Sequence, residues 1–312
     1  MTRFYLVDRE RPATSILLPT REEVDAIKHL EKQLGEDDEL LVICDSEDDP
    51  VAEAGLDSEK VELVTAGEPQ GCSGKANAIY EGMKASENNR VVWTDDDFEH
   101  PDNWLQQMHE DCERHGPASE LPFFTGKNFL TIVSEPIYAF TMLMAYLNNQ
   151  AWGGSVIFDR DTFNEEKFLE ELKQTVGDDV LLSEHLESKT LMRTHHVEID
   201  ETPREGLERI VRFVKHVRYH EPVQTGLLTA ASFILTIAAI LYPLTSFAAS
   251  TVFFLTLYLF MGRKRPTFLF GYLSLIILPF FLLYGLTRRS FVWQGRRYKY
   301  NSKLDVEILN EE

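Results

Sequence analysis

Cysteine is scarce in this chain of 312 residues, which contains only Cys44, Cys72 and Cys112. Their number is odd and their spacing fits no metal-binding pattern, so a disulfide framework is not expected. Free thiols of this kind are typical of a reducing cytoplasm. Residues 1–11 are polar and charged, and we therefore expect no apolar secretory leader at the start of the chain.

Basic residues are also few, since 31 Lys and Arg stand against 51 Asp and Glu for a net charge of −20. The excess of acidic over basic residues is confined to the part of the chain before Glu221. From Glu221 onward nine basic and five acidic residues give +4, so residues 1–220 hold 22 basic and 46 acidic residues, or −24. A surface this acidic repels nucleic acid, which we exclude as a partner. The charge indicates either a halophilic source or ordinary solubility.

Three long apolar stretches without a single charge lie at residues 223–241, 247–262 and 267–286. The first and third approach the length that crosses a bilayer, and the second is slightly short. We therefore expect two to three membrane segments within residues 222–287, with Tyr242-Pro243 as the turn between the first two. Buried core helices are the alternative, which three consecutive uncharged runs disfavour.

Basic clusters at residues 263–265 and 288–289 both favour the cytoplasmic side of a membrane. A third complete crossing would separate them, so one stretch is a candidate for a re-entrant or interfacial segment. Pro279 makes the third stretch the best candidate, although the number of crossings stays open. We expect a multi-pass protein of the cell membrane whose residues 1–204 form a cytoplasmic domain.

Short apolar runs alternate with helical periodicity in the first part of the chain. Strands are predicted at residues 15–19, 40–44, 61–66 and 91–94, and helices at residues 22–34 and 75–86. This alternation predicts an α/β domain with a mostly parallel sheet flanked by helices. Ligands of such sheets bind at the carboxyl ends of the strands, where Asp45 and the acidic run at residues 95–97 lie.

The acidic run begins where the fourth predicted strand stops. Alternation of side chains sends Asp95 and Asp97 to the same side and Asp96 away from them. Two carboxylates on one side suit Mg²⁺ or Mn²⁺ bridging a diphosphate. The alternative is a solvated acidic turn.

These residues and their neighbours resemble the family-2 glycosyltransferases, which have the GT-A (Rossmann-like) fold, over nearly the whole chain. The motifs that carry the resemblance are Pro19-Thr20-Arg21-Glu22-Glu23, Asp45, Gly74-Lys75-Ala76-Asn77-Ala78 and Asp95-Asp96-Asp97. Glu22 stands where the family usually has Asn. The resemblance implies a nucleotide-sugar donor bound by Pro19, Arg21, Glu23, Asp45, Lys75, Asn77, Asp95 and Asp96. It implies a metal, Mg²⁺ or Mn²⁺, on Asp97 and Asp95.

Two later motifs resemble the family's acceptor side. Trp152-Gly153-Gly154-Ser155 resembles the loop that floors the sugar and acceptor pocket, with glycines that permit close approach; a tight turn before a strand is the alternative. Gly177-Asp178-Asp179 resembles the family's general-base segment. Asp179 stands at the position of the base, with Asp178 second, and the base takes the proton of the acceptor hydroxyl. The same pair also suits the start of a helix over residues 180–187.

Residues 209–213 resemble the (Gln/Arg)-x-x-Arg-Trp motif of membrane-integrated members, with Phe213 in place of Trp. The resemblance implies that Arg209 and Arg212 reach the leaving diphosphate. Helical geometry over residues 205–221 places these arginines opposite an apolar face. An amphipathic helix lying on the membrane is the alternative.

Residues 288–312 form a basic and aromatic tail in which residues 293–298 resemble the Trp-x-Gly-Arg-x-Tyr ending of ceramide-glucosyltransferase-like members. Interfacial anchoring is the alternative. The resemblance implies an inverting glycosyltransferase whose acceptor is a lipid or lipid-linked group in the membrane. The other functions considered are a polyprenyl-phosphate sugar synthase, a polysaccharide synthase and a membrane-bound scaffold that only binds nucleotide-sugars.

Overall fold

The computed structural model describes residues 11–22, 25–53, 58–98 and 100–309. A seven-stranded sheet forms the centre of the domain, in the order β3-β2-β1-β4-β6-β5-β7. Its strands are β1 (Thr14–Pro19), β2 (Glu39–Cys44), β3 (Val61–Thr65), β4 (Arg90–Thr94), β5 (Ala118–Gly126), β6 (Ser155–Asp159) and β7 (Lys189–Ile199). Only β6 runs antiparallel to its neighbours β4 and β5. The predicted α/β class, with the mostly parallel sheet of the GT-A fold, is confirmed.

Eleven α-helices accompany the sheet in the described part of the chain. They are α1 (Asp25–Glu31), α2 (Pro50–Glu53), α3 (Gly74–Ala85), α4 (Trp104–His115), α5 (Phe129–Leu147), α6 (Glu165–Leu172), α7 (Asp178–His185), α8 (Pro203–His220), α9 (Pro222–Leu241), α10 (Pro243–Phe260) and α11 (Gly271–Thr287). Short 3-10 turns occupy Arg160–Thr162 and Pro266–Phe270. Helix α1 is shorter than the predicted helix at residues 22–34.

Apolar residues on both faces explain why the central strands are buried. In β1, Ile16 and Leu18 face the core shared with α1 and α4, while Leu17 faces the core shared with α3, α6 and α7. Helix α3 begins after Ser73, whose Oγ accepts the N–H of Ala76 at 3.1 Å. Gly82 lets α3 approach β1 closely, since a Cβ there would lie 2.9 Å from Leu17 Cδ2.

Four helices within the described residues, rather than the three apolar stretches predicted, are long and apolar enough to cross a membrane. Helices α9, α10 and α11 correspond to the predicted stretches. The fourth, α5, connects β5 to β6 and so has both ends fixed to one sheet. Its apolar length therefore serves packing between the sheet and the other apolar helices, because it contacts both β5 and α11.

Helix α8 is covered by protein along much of its length, which differs from a helix lying on a membrane. It begins at Pro203, two residues before the predicted start, and its N-cap Thr202 shares a capping box with Glu205. The apolar face is buried, and Val214 lies against Gly285 of α11. On the opposite face Arg212 Nη1 is shielded from solvent as well.

The tail after α11 is a folded element rather than a loose basic segment. It forms a three-stranded antiparallel sheet from β8 (Ser290–Trp293), β9 (Arg296–Ser302) and β10 (Asp305–Leu309). Phe291, Tyr298 and Tyr300 of this sheet form a core with Val176, which precedes α7, and with Val211 of α8. The tail is therefore packed against the domain, although its first strand begins more than 80 residues after the start of α8.

Candidate active site

Lys75, in the first turn of α3, lies at the centre of the predicted site. Its ammonium group forms an ion pair with Asp95 and lies 3.7 Å from Asp178 Oδ2. Burial alone would lower the pKa of Lys75, but the carboxylates of Asp178, Asp95 and Asp179 together raise it. The lysine is therefore a fixed cation, held between two motifs that lie more than 80 positions apart in the sequence.

Asp178 and Asp179 begin α7 and differ in their surroundings. Burial, followed by repulsion from Asp179 and Asp95, raises the pKa of Asp178 to about 7 against the attraction of Lys75. Asp179 is less buried, and its Oδ1 accepts the N–H of Val180 at 2.8 Å. Gly177, rather than either aspartate, is the N-cap, so the predicted helix over residues 180–187 begins two residues earlier. Asp179 is thus the carboxylate more accessible to an acceptor.

The side chains of the acidic run after β4 have different surroundings. Asp95 meets Lys75, whereas Asp96 takes a hydrogen bond from the side chain of Thr20. Asp97 keeps an exposed side chain, and partial desolvation together with repulsion from Asp95 raises its pKa. Asp95 and Asp96 therefore have different partners, whereas a shared side for Asp95 and Asp97 stays a prediction.

The carboxylates of Asp95 and Asp97 fit a divalent cation that is shared with a ligand. Within the described residues no three His, Cys, Asp or Glu side chains converge as a complete metal site. Mg²⁺ in phosphate-binding sites takes one or two carboxylates and completes its shell with phosphate oxygens and water. Two acidic side chains that repel each other, one of which is exposed, meet that requirement.

The loop before β6 lies directly against the carboxylates of Asp178 and Asp95. A Cβ at Gly153 would stand 2.7 Å from Asp178 Oδ2, and one at Gly154 would stand 2.6 Å from Asp95 Oδ2. The main-chain N–H of Trp152 donates to Ser119 Oγ at 2.8 Å, which fixes the loop to β5. The structure therefore brings together the predicted pocket loop, the acidic run and the predicted base.

The two arginines of α8 have unlike roles in the fold. Arg209 Nε donates to both carboxylate oxygens of Glu201, at 3.0 and 2.9 Å. Arg212 Nη1 has no hydrogen-bond partner among the described residues, and its guanidinium lies 4.1 Å from the centre of the Trp293 ring. Burial, followed by the charge of Arg209, lowers the pKa of Arg212 to about 10, so it stays charged at neutral pH. Of these two arginines, Arg212 is the one with a buried donor that can still bind an anion.

The predicted nucleoside side of the site contains residues with mixed roles. Asp45 follows β2, and its Oδ2 lies 4.0 Å from Arg21 Nη1. Asn77 uses its amide nitrogen within the fold, donating to the carbonyls of Ala66 and Gly67 at 3.0 Å each. Pro19 ends β1 beside this edge. Glu23, the remaining predicted donor residue, lies outside the described residues.

Sequence reasoning gave no site role to three residues that the structure brings here. Arg296 Nη1 donates to Asp45 Oδ2 at 2.8 Å, and the Tyr298 hydroxyl accepts the N–H of Gly74 at 3.3 Å. Trp293 covers Arg212. The available signal was the tail motif at residues 293–298, whose place in space depends on contacts across the whole chain.

The mostly parallel sheet with flanking helices, and an acidic run at the end of β4, match the GT-A fold. Residues 15–164 match the family model of Glycosyl transferase family 2. The match covers 150 of the 312 residues, slightly less than half of the chain, and identifies a family 2 glycosyltransferase domain within it. No similar protein was found among the curated proteins compared.

Several solved structures are similar to this chain at low sequence identity. Glucosyl-3-phosphoglycerate synthase from Mycobacterium tuberculosis, in complex with phosphoglyceric acid, is 15% identical, with 67% of this chain and 80% of that chain covered and a TM-score of 0.44. Mannosyl-3-phosphoglycerate synthase from Rubrobacter xylanophilus is 16% identical, with 69% and 75% covered and a TM-score of 0.42. S. aureus TarS in complex with UDP-GlcNAc is 11% identical, with 96% and 99% covered and a TM-score of 0.42.

Proposed function

We propose that this chain transfers a sugar, with inversion, from a nucleoside-diphosphate sugar to a lipid or lipid-linked acceptor in the membrane. The observation that carries the proposal is the convergence of Lys75, Asp95 and Asp178 against the glycines of residues 153–154. A buried cation, an acidic metal-type motif and a second carboxylate pair at one sheet edge supply what a displacement at an anomeric carbon requires.

The leaving group in this reaction is a nucleoside diphosphate, on which negative charge grows as the glycosidic bond breaks. Asp97 and Asp95 are the residues that would hold Mg²⁺ or Mn²⁺, and the cation would supply charge stabilisation to that diphosphate. Lys75 and Arg212 add two fixed positive charges from the protein. Groups oriented before the reaction stabilise developing charge most effectively because they need no rearrangement.

Asp179 is the proposed general base. It removes the proton of the acceptor hydroxyl while the hydroxyl oxygen forms its bond to the anomeric carbon and the bond to the diphosphate breaks. Its greater accessibility than Asp178 supports this assignment. Asp178, which Lys75 contacts, supports the geometry of the base and of Asp95.

Replacing Asp179 separates hydroxyl acceptors from phosphate acceptors. With a hydroxyl acceptor, Asp179→Asn is expected to lower kcat by about a hundredfold or more because proton removal is lost. A polyprenyl phosphate is already ionised and needs no base, so much of the activity would remain in that variant. Asp161→Asn, on the exposed turn after β6, is the matched control.

Labelled donor, extracted lipids and soluble sugars offered together test the acceptor. We expect the label in an organic-phase product that contains one added sugar. A polymer that grows by many sugars indicates a polysaccharide synthase. Label found only on soluble sugars contradicts the lipid acceptor, and donor binding without transfer indicates the scaffold.

Contacts of the two basic clusters support a membrane hairpin. Arg263 Nε donates to Thr194 Oγ1 of β7 at 2.9 Å, and Arg265 Nη2 donates to Glu135 Oε1 of α5 at 2.9 Å. The other cluster precedes β8, which contacts α8. Both clusters therefore lie on the side of the catalytic domain. We propose that α9 and α10 cross the membrane as a hairpin, with α11 returning to the domain without a separate crossing, and that the domain is cytoplasmic.

Single cysteines test this arrangement, since the native Cys44, Cys72 and Cys112 are buried. A membrane-impermeant thiol reagent outside intact cells is expected to label Leu244→Cys, at the hairpin tip. Lys264→Cys and Arg289→Cys, both at exposed positions, should be labelled only after permeabilisation. Labelling of either basic-cluster position from outside contradicts the hairpin.

A further inference from the structure

The C-terminal sheet formed by β8, β9 and β10 is a fixed wall of the catalytic domain. Tyr298 and Tyr300 are almost fully buried, as is Phe291. The hydroxyl of Tyr219 in α8 donates to the carbonyl of Tyr300 at 2.8 Å. An element packed in this way holds its side chains in defined positions, so its contacts with the site are part of the folded structure.

Arg296 extends from this wall to the nucleoside side of the proposed site. One nitrogen donates to Asp45 Oδ2 at 2.8 Å and another to Glu68 Oε2 at 3.0 Å. Its side chain is only 17% exposed. A planar guanidinium that donates to two carboxylates through different nitrogens is fixed in orientation. It fixes the orientation of the Asp45 carboxylate in turn.

Asp45 is left with one oxygen for a ligand. Both Arg296 and the more distant Arg21 approach Oδ2, and Asp45 Oδ1 has no recorded side-chain partner among the described residues. A carboxylate oxygen accepts N–H or O–H groups, which nucleobases and riboses offer. The arginine contact therefore orients Asp45 without occupying all of its acceptor capacity.

Arg296 also counters the charge problem of this domain. Residues 1–220 carry −24, which opposes the approach of an anionic donor. Arg296 places a positive charge between Asp45 and Glu68 and stands 3.0 Å from the Cβ position of Gly74, next to Lys75. The Tyr298 hydroxyl meets the N–H of the same Gly74. The wall thus contacts the start of α3 as well as the end of β2.

We infer that Arg296 is a positioning residue that sets donor affinity by holding Asp45 for the nucleoside. The inference rests on the proposed function, in which Asp45 contacts the nucleoside of the donor. It extends that function by making a segment beyond the membrane helices, more than 200 positions after Asp45, part of the donor site.

The test compares Arg296→Gln with Arg297→Gln, its neighbour on β9, for which no side-chain ion pair is recorded within the described residues. For Arg296→Gln we expect KM for the nucleotide-sugar to rise about tenfold, the size of one lost charge-assisted hydrogen bond, with kcat within about twofold of wild type. Arg297→Gln should match wild type. Arg296→Lys, which keeps the charge but not the fork, should lie between them.

Inhibition by inorganic pyrophosphate separates positioning from general damage. Arg296 orients Asp45 at the nucleoside, so Arg296→Gln should weaken inhibition by the nucleoside diphosphate about tenfold and inhibition by pyrophosphate only by the smaller effect of the lost charge. Equal KM values for Arg296→Gln and Arg297→Gln overturn the inference, as does an equal loss for both inhibitors. If Arg296→Gln fails to fold, Arg296→Lys carries the same comparison. A wild-type protein that uses no nucleotide-sugar contradicts the proposed function instead.

Discussion

At the scale of the residue, Lys75 connects two parts of the site. Its ammonium group contacts a carboxylate that follows β4 and another at the start of α7. Removal of a partner from a buried ion pair leaves uncompensated charge, which costs about 3–5 kcal/mol when the group is fully buried. The Lys75 side chain is 15% exposed, so its loss should fall toward the lower end of that range. Lys75 therefore contributes to stability, and in the proposed function it also stabilises charge in the reaction.

Replacement of Lys75 by Met is expected to reduce activity by about a hundredfold and to make stability depend more strongly on pH. Burial already raises the folded-state pKa of Asp178 to about 7, above its unfolded value of 3.8, and loss of Lys75 raises it further. A raised carboxyl pKa means that stability present at low pH is lost as pH rises through the folded pKa. The unfolding temperature of Lys75→Met should therefore drop more at pH 8 than at pH 5.

Lys84→Met is the control for this experiment, since Lys84 is in the same helix and its contacts, with Glu81 and the Tyr80 ring, are at the surface. Its unfolding temperature should stay close to wild type at both pH values. A Lys75→Met protein that loses stability equally at pH 5 and pH 8 would show that the carboxylates around it do not titrate as described.

Gly153 is the second residue whose identity follows directly from its neighbours. Gly153→Ala places a methyl group 2.7 Å from Asp178 Oδ2, so the loop or the aspartate must shift. Displacement of a reacting group by a fraction of an ångström to 1 Å costs up to about a hundredfold in rate, and we expect a loss of that order in kcat. Gly226→Ala in α9, where a Cβ meets open space, should keep full activity; equal rates for the two variants would contradict the close packing.

At the scale of the element, helix α5 links the sheet to the apolar helices through one buried carboxylate. Glu135 is fully buried and accepts hydrogen bonds from Arg265 at 2.9 Å and from the N–H of Gly126 at 2.8 Å. Thr267 also donates to it. Three segments, the end of β5, helix α5 and the turn before α11, are therefore fixed through a single side chain.

Glu135→Gln leaves Arg265 without its counter-charge, and we expect the free energy of unfolding in detergent to fall by about 2 kcal/mol. This loss is smaller than that for a fully buried ion pair because Arg265 is 37% exposed to solvent. Glu198→Gln, which breaks an exposed pair with Lys127, should cost much less because solvent screens that pair. Thermal unfolding of both variants checks the difference, and equal losses would contradict a structural role for Glu135.

The elements predicted from sequence are those whose patterns are local. Strands β1, β2, β3 and β4 and helix α3 carry continuous apolar runs or a helical period. Strand β5 was missed because it contains Glu120, whose burial depends on distant partners. Trp104 and Ser155 donate to it at 2.9 and 2.6 Å, and Arg193 and His195 of β7 also contact it. Strand β7 was missed because its polar residues are satisfied by distant partners, as Thr194 is by Arg263.

The site was predictable to the same degree. The positions of strand ends predicted Asp45 and the acidic run, because fold topology places strand ends together, whereas Lys75 and Asp179 were inferred from the family resemblance. The engagement of Asn77 by the turn after β3 was not visible, nor was the difference between Arg209 and Arg212, which depends on Glu201. The contact of Arg296 with Asp45 spans 251 positions, and no local pattern encodes it.

At the scale of the whole molecule, charge and apolar surface are divided between two parts. The domain is strongly acidic and the segment from residue 221 onward is basic and apolar. Self-repulsion destabilises a compact acidic domain, and salt screens it. We expect the unfolding temperature to rise as KCl increases from 0.1 to 2 M, as in a protein from a saline cytoplasm. An unfolding temperature that is constant or falls over this range contradicts the halophilic interpretation.

The central claim is that the carboxylates after β4 hold a metal for transfer from a nucleotide-sugar to a membrane acceptor. The most direct measurement is sugar transfer by the purified protein in lipid, with a panel of nucleotide-sugars and Mn²⁺ or Mg²⁺, before and after chelation. Asp97→Asn is measured beside Asp102→Asn, an exposed aspartate outside the site. We predict transfer that requires the metal and falls about a hundredfold or more in Asp97→Asn alone. Transfer that survives both chelation and Asp97→Asn would contradict the account.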